Sequence, residues 1–247
     1  MKKILTILLM GFCIPVVHAQ DATEIVKKAD EKMRGESNYS EMTMKIVRPD
    51  WQREIKMKAW SKGQDYSLIR ITAPARDEGS AFLKRDQEIW NWQPSINRVI
   101  KLPPSMMMQS WMGSDFTNDD LVKESSIVTD YTHKYVGDTT ILGRPTYKLE
   151  LIPQEDAPVV WGKVLLYITK EDYLELLVKY YDEDDFLINT MVLSDIKDMD
   201  GRKIPARMEM IPADQPDHKT IITYQKLDFN VDLSQNFFSL QNMKSIR

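Results

Sequence analysis

Alternation of apolar and polar side chains extends over most of this chain, and it constrains the fold more than any other feature. In residues 41–47, Met42, Met44 and Ile46 alternate with polar side chains, and residues 53–60 repeat the pattern. A period of two is typical of a strand with one buried and one solvated face. Similar stretches recur roughly every ten to fifteen residues with turn signals between them, which is typical of an antiparallel sheet.

We predict a mainly β fold, with about eleven antiparallel strands in one domain that spans residues 20–247. The strands lie on both sides of an irregular stretch at residues 103–145, and no Pro- or Ser-rich linker divides the chain. A strongly curved sheet must cover its apolar concave face. The helical segments available for this, residues 21–35 and 104–123, are too short to fill a deep trough. We therefore expect an incomplete antiparallel β-barrel with a helical lid and space inside.

Residues 21–35 are predicted to form an amphipathic helix. Asp21 can cap its first turn, and Ile25, Ala29 and Met33 recur on one face. Gly35 is a natural end for the helix because glycine readily adopts a left-handed conformation.

The segment 105–121 is unusually rich in methionine and aromatic residues. Its large apolar side chains lie within eleven residues and are Met106, Met107, Met108, Trp111, Met112 and Phe116. Methionine is flexible and polarizable, so such a segment either fills an irregular core or adapts to ligands of varied shape. Both interpretations remain open at this stage, and we expect Gly113 to act as a hinge.

The first nineteen residues have the pattern of a secretory signal peptide. Lys2 and Lys3 precede an apolar run at residues 4–17, and Val17-His18-Ala19 resembles a cleavage site. The run is shorter than the ~20 residues that a membrane-spanning helix needs. Cys13 is the one cysteine, so a chain that begins at Gln20 would contain no thiol.

Composition and motifs exclude several classes of function. A formal charge of −4 argues against a nucleic-acid-binding protein. No nucleophile elbow, zinc-protease motif or phosphate-binding glycine loop occurs, and Asp115, Asp119 and Asp120 lack the spacing of a calcium loop. We predict no enzymatic activity, no cofactor and no metal site.

Several motifs, taken in order, resemble one family. The run from Trp90 to Leu121 contains WNWQP, NRVIKLP and WMGSDFTNDDL, and later come GRPTYKLELIP, the hairpin VLLYITKEDYLELLVKYYDEDDFL, MDGRKIPARMEM and NFFSLQNM. This order resembles the LolA-like outer-membrane lipoprotein-sorting proteins. It is most similar to their larger branch, which carries a GSDF or GTDF element followed by an acidic pair. The resemblance covers nearly the whole chain after residue 19.

The resemblance implies a non-enzymatic periplasmic carrier of acylated lipoproteins or similar lipids. An inner-membrane exporter would act as donor and an outer-membrane protein as acceptor, and we expect a monomer. The best-known carriers depend on an arginine that faces the cavity, for which Arg48, Arg70 and Arg98 are the candidates here. The alternative is an envelope interaction or sensor module that uses the same half-barrel without a transported cargo.

A carrier needs an apolar interior because an acyl chain of ~16 carbons costs on the order of 12 kcal/mol to expose to water. We predict that the walls of this interior comprise Met42, Met44, Ile46, Ile55 and Met57, together with Trp90 and Trp92. The predicted lid comprises the six apolar residues of segment 105–121 named above. A movable lid over an apolar trough would allow both uptake and release of the cargo.

Overall fold

The computed structural model describes residues 21–123 and 126–246, and in these residues thirteen strands form one antiparallel sheet. The strands are β1 (Ser37–Val47), β2 (Gln52–Lys62), β3 (Tyr66–Ala73), β4 (Ala81–Arg85), β5 (Glu88–Gln93), β6 (Arg98–Lys101), β7 (Tyr131–Ile141), β8 (Arg144–Pro153), β9 (Lys163–Thr169), β10 (Glu175–Tyr181), β11 (Leu187–Met199), β12 (Arg202–Pro212) and β13 (Lys219–Phe229). The α-helices are α1 (Ala22–Arg34) and α2 (Leu240–Ser245). The predicted signal peptide and Cys13 lie outside the described residues.

The sheet consists of two meanders that meet at its centre. Its strand order is β6-β5-β4-β3-β2-β1-β13-β12-β11-β10-β9-β8-β7, so β1 pairs with both β2 and β13. The outermost strands β6 and β7 do not pair with each other, and the sheet is not closed. The predicted mainly β, incomplete antiparallel barrel is therefore confirmed. Among the described residues, no helix has the length and apolar character needed to cross a bilayer.

The structure has more strands than the predicted number of about eleven. Strand β7 lies inside the stretch that the sequence pattern left irregular. Most of its residues are exposed, and the pairing with β8 shifts between Tyr135 and Gly137. Because neither face of this edge strand is continuously buried, the sequence carries no alternating pattern there.

Helix α1 matches the prediction and packs on the inner face of the sheet. The Asp21 carboxylate accepts a hydrogen bond from the Thr23 backbone N–H at 3.0 Å, and Gly35 ends the helix with a φ of 65°. Ile25, Val26 and Ala29 are buried in the main core.

The inner face carries a band of methionine and isoleucine side chains across the centre of the sheet. Met42 on β1 lies opposite Met57 on β2, and Met191 on β11 lies opposite Met210 on β12. Facing residues share one side of an antiparallel pair, so the methionines of four strands form one surface. Met44, Ile46 and Ile55 in this band are fully buried.

A second core covers the other face of β3–β5. Leu68, Leu83 and Trp92 pack there against Phe238 and Met243 of the C-terminal segment, and Trp90 packs against the same cluster. This corrects the prediction that Trp90 and Trp92 form part of the cavity wall. On β5 it is Ile89 that belongs to the inner core, and alternation turns both tryptophans the other way.

Replacing Phe238 by alanine should lower the free energy of unfolding by about 3–5 kcal/mol, because it leaves a cavity under the C-terminal segment. Phe238 is fully buried, whereas nearby Leu240 is 41% exposed. Urea denaturation of both alanine variants checks this, with Leu240→Ala as the control at within about 0.5 kcal/mol of wild type. Equal losses for the two variants would contradict the assignment of this second core.

Candidate ligand-binding interior

Residues 104–123, here called the cover segment, lie over the inner face and form a compact loop. Helical structure is confined to its ends, with a 3₁₀ turn at Pro104–Met106 and a π-helical turn at Asp119–Lys123. Between them, Ser110 and Thr117 form an isolated antiparallel bridge. The backbone N–H of Trp111 donates to the Phe116 carbonyl at 2.8 Å. The lid is therefore less helical than the sequence predicts.

The cover segment inserts its large side chains into the core. Trp111 is fully buried, and its ring is tilted against that of Phe82 with the centroids 5.3 Å apart. Met107 and Phe116 are also buried. Met106 and Met112 pack partly buried against the same core, but Met108 is 55% exposed. The segment thus fills part of the trough, and its contact with a ligand stays a prediction.

An ion pair fastens the middle of the cover segment to the sheet. Two guanidinium nitrogens of Arg48 donate to the two carboxylate oxygens of Asp115, at 3.0 and 2.9 Å. The Thr220 hydroxyl also donates to Asp115 at 2.6 Å, and both ion-pair side chains are largely buried. Asp115 is the acidic residue of the GSDF element, so this motif joins the cover segment to the residue that follows β1 and to β13.

The end of the cover segment is held by Asp120. Its carboxylate accepts hydrogen bonds from the Thr117 backbone N–H at 2.8 Å and from the Trp161 indole N–H at 3.1 Å. The Asp120 N–H in turn donates to the Thr117 hydroxyl, which is the reciprocal arrangement of a capping box. Burial raises the pKa of the Asp120 carboxyl to about 6.

Two adjoining cavities remain inside the half-barrel. The first, of about 170 Å³, has an apolar wall formed by Met42, Met57, Ala59 and Ile69. The second, of about 260 Å³, has acidic and aromatic groups in its wall. Both share residues of α1, the cover segment and the central strands, namely Asp30, Arg34, Leu121, Met208 and Tyr224. Neutral polar side chains also border the first cavity, but among the described residues its only charged groups are the shared Asp30 and Arg34, and we call it the apolar cavity. The second adds Asp119, Asp120 and Glu175, and we call it the polar compartment.

The polar compartment contains Glu175, which simple alternation along β10 places on the other face of the sheet. The pairing of β10 with β9 shifts between Glu175 and Leu177, so that Glu175 lies opposite Ile168 of the inner core. Such a bulge re-aims the side chains on one side of the extra residue. Burial, together with the charge of Asp30, raises the pKa of Glu175 to about 7.

The arginine that faces these cavities is Arg34, on the last turn of α1. It lies 3.5 Å from Asp30 one turn earlier. None of the three arginines proposed from the sequence lines either cavity: Arg48 binds Asp115, Arg98 is exposed, and Arg70 lies beside the Gly79 carbonyl. The candidates from the sequence were arginines of predicted strands, whereas in the structure helix α1 supplies the inward-facing arginine.

A third, larger cavity of about 410 Å³ lies beside the cover segment. Met107 and Leu102 line it together with Val159 and Val160 from the connection between β8 and β9. Of the predicted site residues, the structure thus places Met42 and Met57 at the apolar cavity, Phe116 at the polar one and Met107 at this third cavity. Within the described residues, no three His, Cys, Asp or Glu side chains are grouped to hold a metal ion.

The open half-barrel, the inward-facing methionines and the cover segment define a protein with the LolA-like fold, and solved structures agree. A DUF1329 family protein from Desulfovibrio piger is 25% identical, with a TM-score of 0.81 over 90% of this chain and 97% of its own. A LolA superfamily protein from Nitrosomonas europaea is 24% identical, with a TM-score of 0.79 over 90% and 99%. A candidate outer membrane lipoprotein-sorting protein domain from Vibrio parahaemolyticus is 22% identical, with a TM-score of 0.80 over 90% and 98%.

A family model described as "Uncharacterized protein" matches residues 63–245, and the chain belongs to that family. A comparison with curated proteins finds no match. The resemblance to LolA-like proteins inferred from the sequence motifs is confirmed at the level of the fold.

Replacing Asp115 by asparagine should loosen the cover segment, because it leaves the Arg48 guanidinium without its buried carboxylate. Breaking such a pair costs roughly 3–5 kcal/mol, so amide hydrogen exchange at residues 111–118 should accelerate by at least about tenfold. Hydrogen exchange measured by mass spectrometry checks this, with exposed Asp50→Asn as the control. Unchanged exchange in the Asp115 variant would show that the ion pair does not hold the segment.

Replacing Glu175 by glutamine should change how stability depends on pH. The ordinary pKa of this carboxyl is 4.5 and the folded value is about 7, so the folded state keeps a proton that the unfolded chain loses. The stability from this group is fully present below pH 4.5 and is lost as the pH rises to about 7.

The glutamine variant lacks this loss, so its stability relative to wild type should rise by about 2–3 kcal/mol between pH 5 and pH 8. Urea denaturation at both pH values measures the difference, and exposed Glu183→Gln serves as the control. The same relative stability at both pH values would contradict the raised pKa of Glu175.

Proposed function

We propose that this protein is a periplasmic carrier that encloses the acyl chains of a lipoprotein or another lipid inside its half-barrel. The observation that carries the proposal is the methionine-lined interior with remaining space, roofed by a cover segment that is itself apolar. The fold shared with a candidate lipoprotein-sorting domain supports it. The predicted signal peptide would direct the chain to the periplasm, and the protein would act as a monomer without enzymatic activity.

The interior described here is a closed form of the carrier. Sites for ligands of ordinary size occupy about 300–1,000 Å³, whereas the two inner cavities have about 170 and 260 Å³. An acyl chain therefore enters when the cover segment moves and withdraws Trp111 and Phe116 from the trough. Polar contacts at Asp115 and Asp120 hold the segment, so opening does not require the sheet to unfold.

This arrangement meets the opposing demands on a carrier. The apolar walls replace water around the acyl chain, whose exposure would cost about 0.8 kcal/mol per methylene group. The cover segment competes with the cargo for the same walls, so its return favours release. An inner-membrane exporter would supply the cargo and an outer-membrane acceptor would receive it.

Native mass spectrometry of the protein purified from periplasm tests the proposal. A bound acylated species, identified after organic extraction, is the expected result. A protein that is empty and that also fails to bind added lipids would contradict the carrier and favour an interaction or sensor module with the same half-barrel.

Filling the apolar cavity should block uptake while the fold is kept. Ala59 lines this cavity, so Ala59→Phe should reduce binding of a fluorescent fatty acid by at least about tenfold, since its ring would occupy space that the acyl chain needs. Ala59→Val adds a smaller side chain and should retain most of the binding. Titration by fluorescence, with circular dichroism to verify folding, distinguishes the two, and equal binding by both variants would place the cargo elsewhere.

A further inference from the structure

The polar compartment of the interior combines acidic and aromatic groups. Its described wall holds four carboxyl side chains and one guanidinium, which belong to Asp30, Asp119, Asp120, Glu175 and Arg34. Aromatic rings line the same space: Phe116, Tyr131, Trp161, Tyr180 and Tyr224. With its carboxylates ionised, the compartment carries an excess of negative charge beside several aromatic rings.

Two polar groups in this compartment lack a protein partner. Glu175 and Tyr180 are partly buried, and both line the cavity. Neither side chain makes a hydrogen bond or ion pair within the part of the chain that the structure describes, although Asp120 beside them is fully bonded. Buried polar groups normally have partners, so an unmet donor and acceptor facing a cavity indicate a polar ligand group.

We propose that the polar compartment binds the ammonium group of an amine-bearing lipid, and that the hydrocarbon part of this lipid lies in the adjoining methionine-lined cavity. The proposal rests on the carrier function and names the chemical class of its cargo. A primary ammonium offers three N–H donors, of which one can bond the Glu175 carboxylate and another the Tyr180 oxygen. The aromatic rings favour the same cation through their π faces.

The charge of the compartment opposes the alternative headgroups. A phosphate or sulfate would meet several carboxylates and only Arg34, which already lies beside Asp30. A neutral hydroxyl could bond Glu175 but would gain nothing from the surrounding charge. The cavity for the hydrocarbon adjoins this compartment, because Leu121 and Met208 belong to the walls of both.

Isothermal titration at pH 8 with octylammonium, octyl sulfate and 1-octanol tests this inference on the mature chain. Octylammonium should bind at least about tenfold more tightly than the other two, as expected for a charge-assisted hydrogen bond. Glu175→Gln should lower the affinity for octylammonium to that of 1-octanol and so abolish this preference. Exposed Glu183→Gln removes the same net charge and should keep the preference.

The remaining outcomes separate the two proposals. Equal binding of the three octyl compounds, or an unchanged preference in Glu175→Gln, would overturn the ammonium site while the acyl carrier stands. An acylated cargo without an amine in the native mass spectrum would overturn it as well. Failure to bind any octyl compound, together with an empty native protein, would overturn the carrier function itself.

Discussion

The pairing of β1 with β13 is the interaction on which the rest of this structure depends. It joins the first and last strands over ten registered residue pairs, from Asn38 and Phe229 to Val47 and Lys219. Each half of the chain forms a meander through local hairpins, and only this long-range contact turns the two meanders into one sheet. Closing so long a loop is entropically costly, although that cost grows slowly with length. The continuous inner face exists because the two halves meet here.

That inner face creates the need for a cover. Helix α1 and residues 104–123 pack on it, and they come from opposite sides of the first meander. Asp115 is held by Arg48, which directly follows β1, and by Thr220 on β13. The central pairing therefore also positions the contact that fastens the cover segment. In the proposed opening, the cover segment would move while the backbone hydrogen bonds between β1 and β13 remain.

The interior keeps polar groups that an optimally stable core would exclude. Burial raises the pKa of both Asp120 and Glu175, which means that the folded protein disfavours their charged forms. Asp120 recovers part of this loss through its bonds to Thr117 and Trp161, whereas Glu175 has none. Uncompensated polar groups facing a cavity are common at binding sites, where stability is exchanged for recognition. The acidic compartment is therefore the part of the interior best suited to recognise a polar group of a ligand.

Alternation along the chain was enough to predict the open antiparallel barrel, the capped first helix and the inward direction of Met42, Met44 and Met57. These features depend on local periodicity, which each strand displays by itself. The edge strand β7 was not predicted, because most of its residues are exposed and its sequence therefore shows no alternation of apolar and polar side chains. Trp90 and Trp92 were placed on the wrong face because large aromatic residues suit either of two cores, and the C-terminal segment covers the second one.

The amino-acid sequence by itself thus determined the strands, their apolar face and the segment that covers it, since these follow from the order of side chains along one element. Only the tertiary structure decided which polar groups share the interior. Glu175 turns inward through a bulge, Arg34 arrives from a helix, and Asp120 comes from the cover segment. Their proximity depends on register and on contacts between residues far apart in the chain, which no local pattern records.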